Sequence, residues 1–242
     1  MAIDLTAFRA LSFDCYGTLI DWETGIAAVL TPWAREQGLH HDQDQLLAAY
    51  GEHEAVAETH TPAPVYPDVL AEAFRRTGAS LGRPVSDAWA RRLADSVPQW
   101  PAFPDSADAL ARLAAHYRLI VVSNVHRDGF AGSNEQLRGD FAAIITAEDV
   151  GGYKPGDAHF RALDAALSGL GVARGELLHV AQSLFHDHVP AKRHGLPSVW
   201  INRRHDRPGW GATPEPGEQF TYDLEFPSMA AFADAAGRAF DR

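Results

Sequence analysis

Apolar positions along the chain change period twice. Ala10-Leu-Ser-Phe13 is a short, nearly continuous apolar run that ends in the turn-forming string Asp14-Cys-Tyr-Gly17-Thr, which predicts a buried strand opening into a loop. From Ile26 the spacing becomes helical: Ile26, Val29, Leu30 and Trp33 share a face, and Gly38 supplies a stop. Leu46, Tyr50 and Ala57 predict a second helix, Leu70, Phe74 and Thr77 a third, and Trp89 with Leu93 a fourth. Roughly 21–99 therefore reads as helical with no strand, and Pro98, Pro101 and Pro104 close it. Beyond the prolines, strands and helices alternate. Strands are expected at 119–122, 142–145, 177–181 and 198–201, separated by helical patterns such as Leu110, Leu113, Ala114 and Tyr117, or Phe160, Leu163, Leu167 and Leu170. Residues 203–220, rich in Gly, Pro and charge, read as a surface excursion, and Met229, Phe232, Ala236 and Phe240 as a closing helix.

Strands alternating with helices imply parallel βαβ units. The expected architecture is a doubly wound, Rossmann-like α/β core made of residues 1–20 and 100–242. A helical cap of residues 21–99 is inserted after its first strand. Such sheets bind ligands outside the carboxyl ends of their strands, at the point where strand order reverses.

Composition narrows the function classes. The chain has 242 residues, of which 46% are hydrophobic and 22% charged, enough for one sizeable core. No run approaches the roughly 20 apolar residues of a membrane span, and the first ten residues do not resemble a secretory signal, so a soluble cytoplasmic protein is expected. With one cysteine, Cys15, an intramolecular disulfide is excluded. A formal charge of −11 argues against a nucleic-acid partner. Twelve histidines raise the question of a metal, but neither His53 with His60 nor His186 with His188 matches a ligand spacing of known mechanism. No metal site and no cofactor are expected.

The loops after the strands carry the candidate chemistry: Asp14, Tyr16 and Thr18, then Ser123 and Asn124, then Lys154, then Gln182, Ser183 and Asp187. A carboxylate held ionised by a lysine and hydroxyl donors can act as a covalent nucleophile, which singles out Asp14. Ser123 and Asn124 suit an anionic substrate or a developing oxyanion, and Asp187 suits activation of water. Trp22 and Phe185 are candidate apolar walls. Cys15 has no activating signature around it and reads as a small buried hydrophobe. The acidic run Glu52 to Glu58 reads as a solvated helix face.

Taken together, Phe13-Asp-Cys-Tyr-Gly-Thr-Leu-Ile-Asp21, Val122-Ser-Asn-Val125, Tyr153-Lys-Pro155 and Val180-Ala-Gln-Ser-Leu-Phe-His-Asp187 resemble the four ordered motifs of the haloacid dehalogenase superfamily. The helical insert resembles that family's mobile cap. Phosphatases of the superfamily carry a second Asp two residues after the nucleophile and a Gly-Asp opening the last motif; here those places hold Tyr16 and Ala181-Gln182, a poor donor set for magnesium. The pattern is similar instead to the metal-free (S)-2-haloacid dehalogenases. That resemblance implies attack by Asp14 on the halogen-bearing carbon and hydrolysis of the resulting ester. It further implies stabilisation of Asp14 by Lys154, binding of a small acid by Ser123 and Asn124, placement of water by Ser183 and Asp187, and a pocket lined by Tyr16 and Thr18. A homodimer is implied as well. The dehalogenases receive the halide on a cap arginine, and residues 46–59 contain none; His53 is a candidate substitute, although a cap histidine is more often a solvated surface residue. A phosphatase of small phosphoesters and a catalytically silent small-acid-binding protein remain as alternatives.

Overall fold

The computed structural model describes residues 3–60, 63–217 and 219–241. Six strands form one sheet: β1 (Ala10–Phe13), β2 (Arg118–Ser123), β3 (Phe141–Thr146), β4 (Leu177–Ala181), β5 (Ser198–Ile201) and β6 (Leu224–Phe226). Their order is β3-β2-β1-β4-β5-β6, and every pairing is parallel. β1 lies centrally between β2 and β4, so all four of its residues are buried. This explains its almost unbroken apolar run, because a strand covered on both faces has no solvated side to alternate with. The chain reverses its direction of progress across the sheet at β1, which opens the crevice beside the end of that strand.

Four helices form an insert that follows β1: α1 (Trp22–Glu36), α2 (Gln43–Ala57), α3 (Tyr66–Ser80) and α4 (Asp87–Ala94). Asp21 caps α1 by accepting the Thr24 amide, and Asp42 with Gln45 forms a capping box on α2. These helices bury Trp33, Leu47, Tyr50, Val69, Leu70 and Phe74, with Trp33 edge-on to Phe74 at 5.1 Å. The core's own helices are α5 (Ser106–Ala114), α6 (Arg127–Leu137), α7 (Ala147–Val150), α8 (Ala158–Leu170), α9 (Val189–Arg193) and α10 (Met229–Phe240). Alternate strand residues face opposite layers. Val121 and Val180 pack with Leu110 and Phe232 on one side, while Ile120, Val122 and Leu177 pack with Phe160, Leu163 and Ala191 on the other.

The chain enters and leaves the helical insert through paired backbone. Ile20 bridges Ala102 antiparallel, the Asp21 amide donates to Pro101 O at 2.8 Å, and the Phe103 amide donates to Leu19 O at 3.0 Å. Just before this crossing, Gly17 adopts φ +95°. A Cβ there would meet Gln182 Oε1 at 2.9 Å and Trp22 Nε1 at 3.2 Å, so both backbone conformation and space require glycine.

The α/β fold is the expected one, with two differences. β6, a three-residue edge strand, pairs only with β5 and is too short to show a period. The segment expected to be a surface excursion is exposed over residues 205–210 but also braces the end of the sheet, Glu218 within it lying outside the described residues. Arg203 donates from Nη2 to Thr18 O at 2.8 Å, pairs with Asp105, and lies 4.0 Å over the Phe103 ring. Arg204 pairs with Glu23 at 2.8 Å, and Ala212 and Thr213 are buried. Ion pairs and ring contacts hold this segment in place without any apolar periodicity to announce it.

Candidate active site

The carboxyl ends of β1, β2 and β4 converge on one buried ammonium group. Lys154, in the loop after α7, is 1% exposed, and its Nζ donates to Asp14 Oδ1 at 2.8 Å, Asp187 Oδ1 at 2.8 Å and Val122 O at 2.9 Å. An ammonium has three protons, and all are committed. The Lys154 backbone is itself clasped: its amide donates to Asn124 Oδ1 at 2.7 Å, and Asn124 Nδ2 donates back to Lys154 O at 3.0 Å.

Asp14 is fixed on both oxygens. Lys154 holds Oδ1, and the Thr18 hydroxyl donates to Oδ2 at 2.7 Å while accepting the Gln182 amide at 2.8 Å. Asp187 differs. Its Oδ1 receives Lys154 and His179 Nε2, the latter at 3.0 Å, whereas its buried Oδ2 has no hydrogen-bond partner among the described residues. Ser12 Oγ lies 2.8 Å from His179 Nδ1. With Ser12 donating there, the Nε2–H is left to donate to Asp187.

Burial raises the Asp14 carboxyl above its ordinary range, against the pull of the Lys154 ammonium. Burial also works to raise Asp187, but Lys154 and His179 outweigh it and hold that carboxyl below the usual range. Lys154 is moved upward: desolvation opposes its charge, and the two carboxylates more than compensate. The arrangement suits an ionised carboxylate nucleophile held between fixed donors, with a second carboxylate oxygen open to water. Cys15, by contrast, is fully buried and its thiol is pushed well up by burial, which removes it as a nucleophile.

A cavity of about 30 Å³ lies over these groups, lined by Asp14, Tyr16, Ser123, Asn124, Lys154, Ser183, His186 and Asp187 from the core and by Trp22, Glu58 and Tyr66 from the helical insert, with Thr213 from the brace. The family model of haloacid dehalogenase-like hydrolases matches residues 8–184. The chain belongs to that family. Among curated relatives, this hydrolase is 26% identical to an (S)-2-haloacid dehalogenase of Pseudomonas putida over 81% of the chain and 85% of the relative. It is 27% identical to one of Pseudomonas fluorescens over 79% and 83%. In fold it is similar to the L-2-haloacid dehalogenase of Xanthobacter autotrophicus, with TM-score 0.76, 20% identity and coverage of 96% and 99%. It is also similar to a HAD-hydrolase of Bacillus subtilis bound to magnesium, with TM-score 0.73, 17% identity and coverage of 95% and 99%.

Of the residues singled out from sequence, Asp14, Tyr16, Trp22, Ser123, Asn124, Lys154, Ser183 and Asp187 line one cavity, and Thr18 stands directly behind Asp14. Three do not line it. Gln182 tucks its side chain beneath Gly17, with Oε1 3.4 Å from Thr213 Oγ1, and borders a neighbouring depression with Arg203. Phe185 packs edge-on against His186 at 4.8 Å. His53 is half-buried on α2 and absent from the cavity wall. At about 100° per residue, its position on the helix points well away from Glu54 and Glu58, which share the inward face. Asn124 is in place, but its donors are already used by Lys154 O and Glu58 Oε1.

The reading of Glu52 to Glu58 as a solvated face is also corrected. Glu54 is 4% exposed and accepts the Tyr66 and Tyr50 hydroxyls at 3.0 and 3.3 Å. Burial, reinforced by the charge of Glu58, raises its pKa to about 8. The signal in sequence was the i, i+4 spacing of two acids beside the apolar positions Leu47 and Tyr50. His179 gave a fainter one, a lone polar side chain within an otherwise apolar strand.

Proposed function

We propose that this hydrolase removes halide from small 2-haloacids through an ester on Asp14. A carboxylate oxygen of Asp14 attacks the halogen-bearing carbon as the carbon–halogen bond breaks and halide departs. Water then attacks the Asp14 carbonyl carbon, and the 2-hydroxy acid leaves with the alkyl carbon–oxygen bond intact. The water supplies the oxygen that restores the carboxylate, and one proton is released. Asp187 Oδ2, buried and without a hydrogen-bond partner among the described residues, orients that water, with Ser183 at the same wall. Its depressed pKa suits acceptance of a hydrogen bond more than lasting capture of a proton.

The observation that carries this reading is the clasp on Asp14, one oxygen on Lys154 and the other on Thr18, with a tyrosine where a phosphatase would need its second acid. Metal independence fits the same geometry. Lys154 already places a positive charge between the two carboxylates, and Tyr16 is engaged with Ser133 at 2.8 Å. The fold alone does not decide the matter, since it is shared with a magnesium-bound hydrolase. Both Pseudomonas relatives are (S)-2-haloacid dehalogenases, which supports the same substrate class. The proposal includes a cytoplasmic homodimer acting on small molecules, in keeping with a lone buried cysteine; no helix among the described residues is long and apolar enough to cross a membrane.

The test is a halide-release screen over fluoro-, chloro- and bromo-acids, with and without EDTA. Release that survives EDTA and vanishes in Asp14→Asn is expected. Absence of release from every acid sinks the proposal, and phosphate release requiring magnesium replaces it.

A further inference from the structure

Glu58 caps the C-terminal end of α2, where a negative charge opposes the helix dipole. Its carboxylate nevertheless reaches into the cavity and is nearly buried, its side chain 8% exposed. Oε1 accepts Asn124 Nδ2 at 3.1 Å, and Oε2 lies 3.5 Å from His186 Nε2, close but outside hydrogen-bonding geometry, so that Nε2 has no hydrogen-bond partner among the described residues. The orientation of that ring follows from Ser183. Its Oγ accepts the His186 amide at 2.9 Å and lies 3.1 Å from Nδ1, so its proton goes to Nδ1 and the Nε2–H faces Glu58. Beside this pair, Ser123 Oγ lines the same cavity, fully buried and without a hydrogen-bond partner among the described residues.

Lys154 cannot be what holds Glu58, because its three protons serve Asp14, Asp187 and Val122 O. It is the only Lys or Arg among the described residues lining the cavity. The Asn124 amide, with the His186 imidazole nitrogen beside it, thus forms a receptor for a carboxylate, and the protein's own carboxylate occupies it. The 30 Å³ left over suits a water or two, not a haloacid. Both Asn124 protons are already used, so a substrate carboxylate that binds the amide must take the place of Glu58. That exchange leaves the charge of the site unchanged, so it avoids adding another anion beside Asp14 and Asp187.

We propose that Glu58 is an internal competitor for the substrate-carboxylate subsite made by Asn124, His186 and Ser123, and that it sets the affinity of the enzyme for small acids. The proposal rests on the haloacid reading only for the identity of the reacting acid. Apparent affinity is reduced by the fraction of molecules in which the site is occupied from within.

Calorimetric titration of the full chain with propionate, an unreactive acid, tests this directly. Removing the competitor in Glu58→Ala is expected to tighten propionate binding about tenfold, the equivalent of one charged hydrogen bond. Glu58→Gln, which keeps the shape without the charge, falls between it and the wild type. For 2-chloropropionate, KM falls in parallel with the propionate dissociation constant, and kcat stays within about twofold. Propionate binding that is unchanged or weaker in both variants overturns the proposal. A wild type that prefers propionamide and loses it in both variants also overturns it, by making Glu58 a recognition group. Tighter propionate binding without halide release from any of the proteins upholds the subsite and rejects the haloacid reading.

Discussion

On the core side of the cavity, nearly every charged or polar atom is committed to a partner within the sheet edge: three protons of Lys154, both oxygens of Asp14, one oxygen of Asp187 and both ring nitrogens of His179. On the cap side, the charged group that reaches the site, Glu58, is held by groups belonging to the opposite wall, Asn124 and His186. The core wall closes around its own charged groups and leaves Asp187 Oδ2 and Ser123 Oγ facing the cavity, while the cap's carboxylate is held from across it. The core wall is therefore suited to fixed chemistry, where geometry must not vary between turnovers. The cap wall is suited to exchange, because its contacts are of the kind a ligand can replace.

Damage to the core wall should be the most severe. Lys154→Met leaves two buried carboxylates without their shared cation, so turnover is expected to disappear. Loss of one partner from such a buried network costs about 3–5 kcal/mol, read as a lowered urea midpoint at pH 7. Retention of wild-type stability would show that the core wall is less self-reliant than its contacts indicate. Next, Asp187→Asn keeps a side chain able to accept from Lys154 and His179 but removes the carboxylate that faces water. Ester hydrolysis is expected to slow by about 10²- to 10⁴-fold while alkylation continues, so intact-mass spectrometry should find an adduct on Asp14. Unchanged hydrolysis would reduce Asp187 to a brace for Lys154.

The smallest effect belongs to the cap. Glu54 keeps its proton up to about pH 8 in the fold, whereas the unfolded chain releases it near the ordinary value of 4.5. Stability from this protonated group is fully present below about pH 4.5 and is lost as pH rises through 8. Glu54→Gln should thus become more stable than the wild type, by on the order of a few kcal/mol, when urea unfolding is compared at pH 9. The two proteins should converge near pH 4.5. A constant difference across the range would mean that Glu54 is ionised in its pocket.

The same contrast explains what could be read from sequence. Asp14 and Ser123 sit at strand ends, and Lys154 and Asp187 in the segments that follow β3 and β4, where short apolar runs and turn-forming residues mark the place and the parallel topology forces convergence. Their chemistry follows from local order along the chain. Glu58 meets Asn124 only through the docking of α2 across the sheet edge, and no local period encodes that approach. His53 illustrates the hazard: a cationic candidate on the right helix, it lies on the wrong side by its helical phase. Thr213 reaches the cavity because Arg203 and Arg204 anchor its loop by ion pairs, contacts that leave no pattern in a single sequence.

The backbone pairing of Ile20 with Ala102 has an evolutionary consequence. The four helices between them begin and end at neighbouring points on the core, so the sheet constrains neither their number nor their length. Lineages sharing this core could lengthen, shorten or replace the insert while leaving the reacting carboxylate undisturbed. Changes in the molecules accepted would then accumulate in the cap faster than changes in the bonds that are broken.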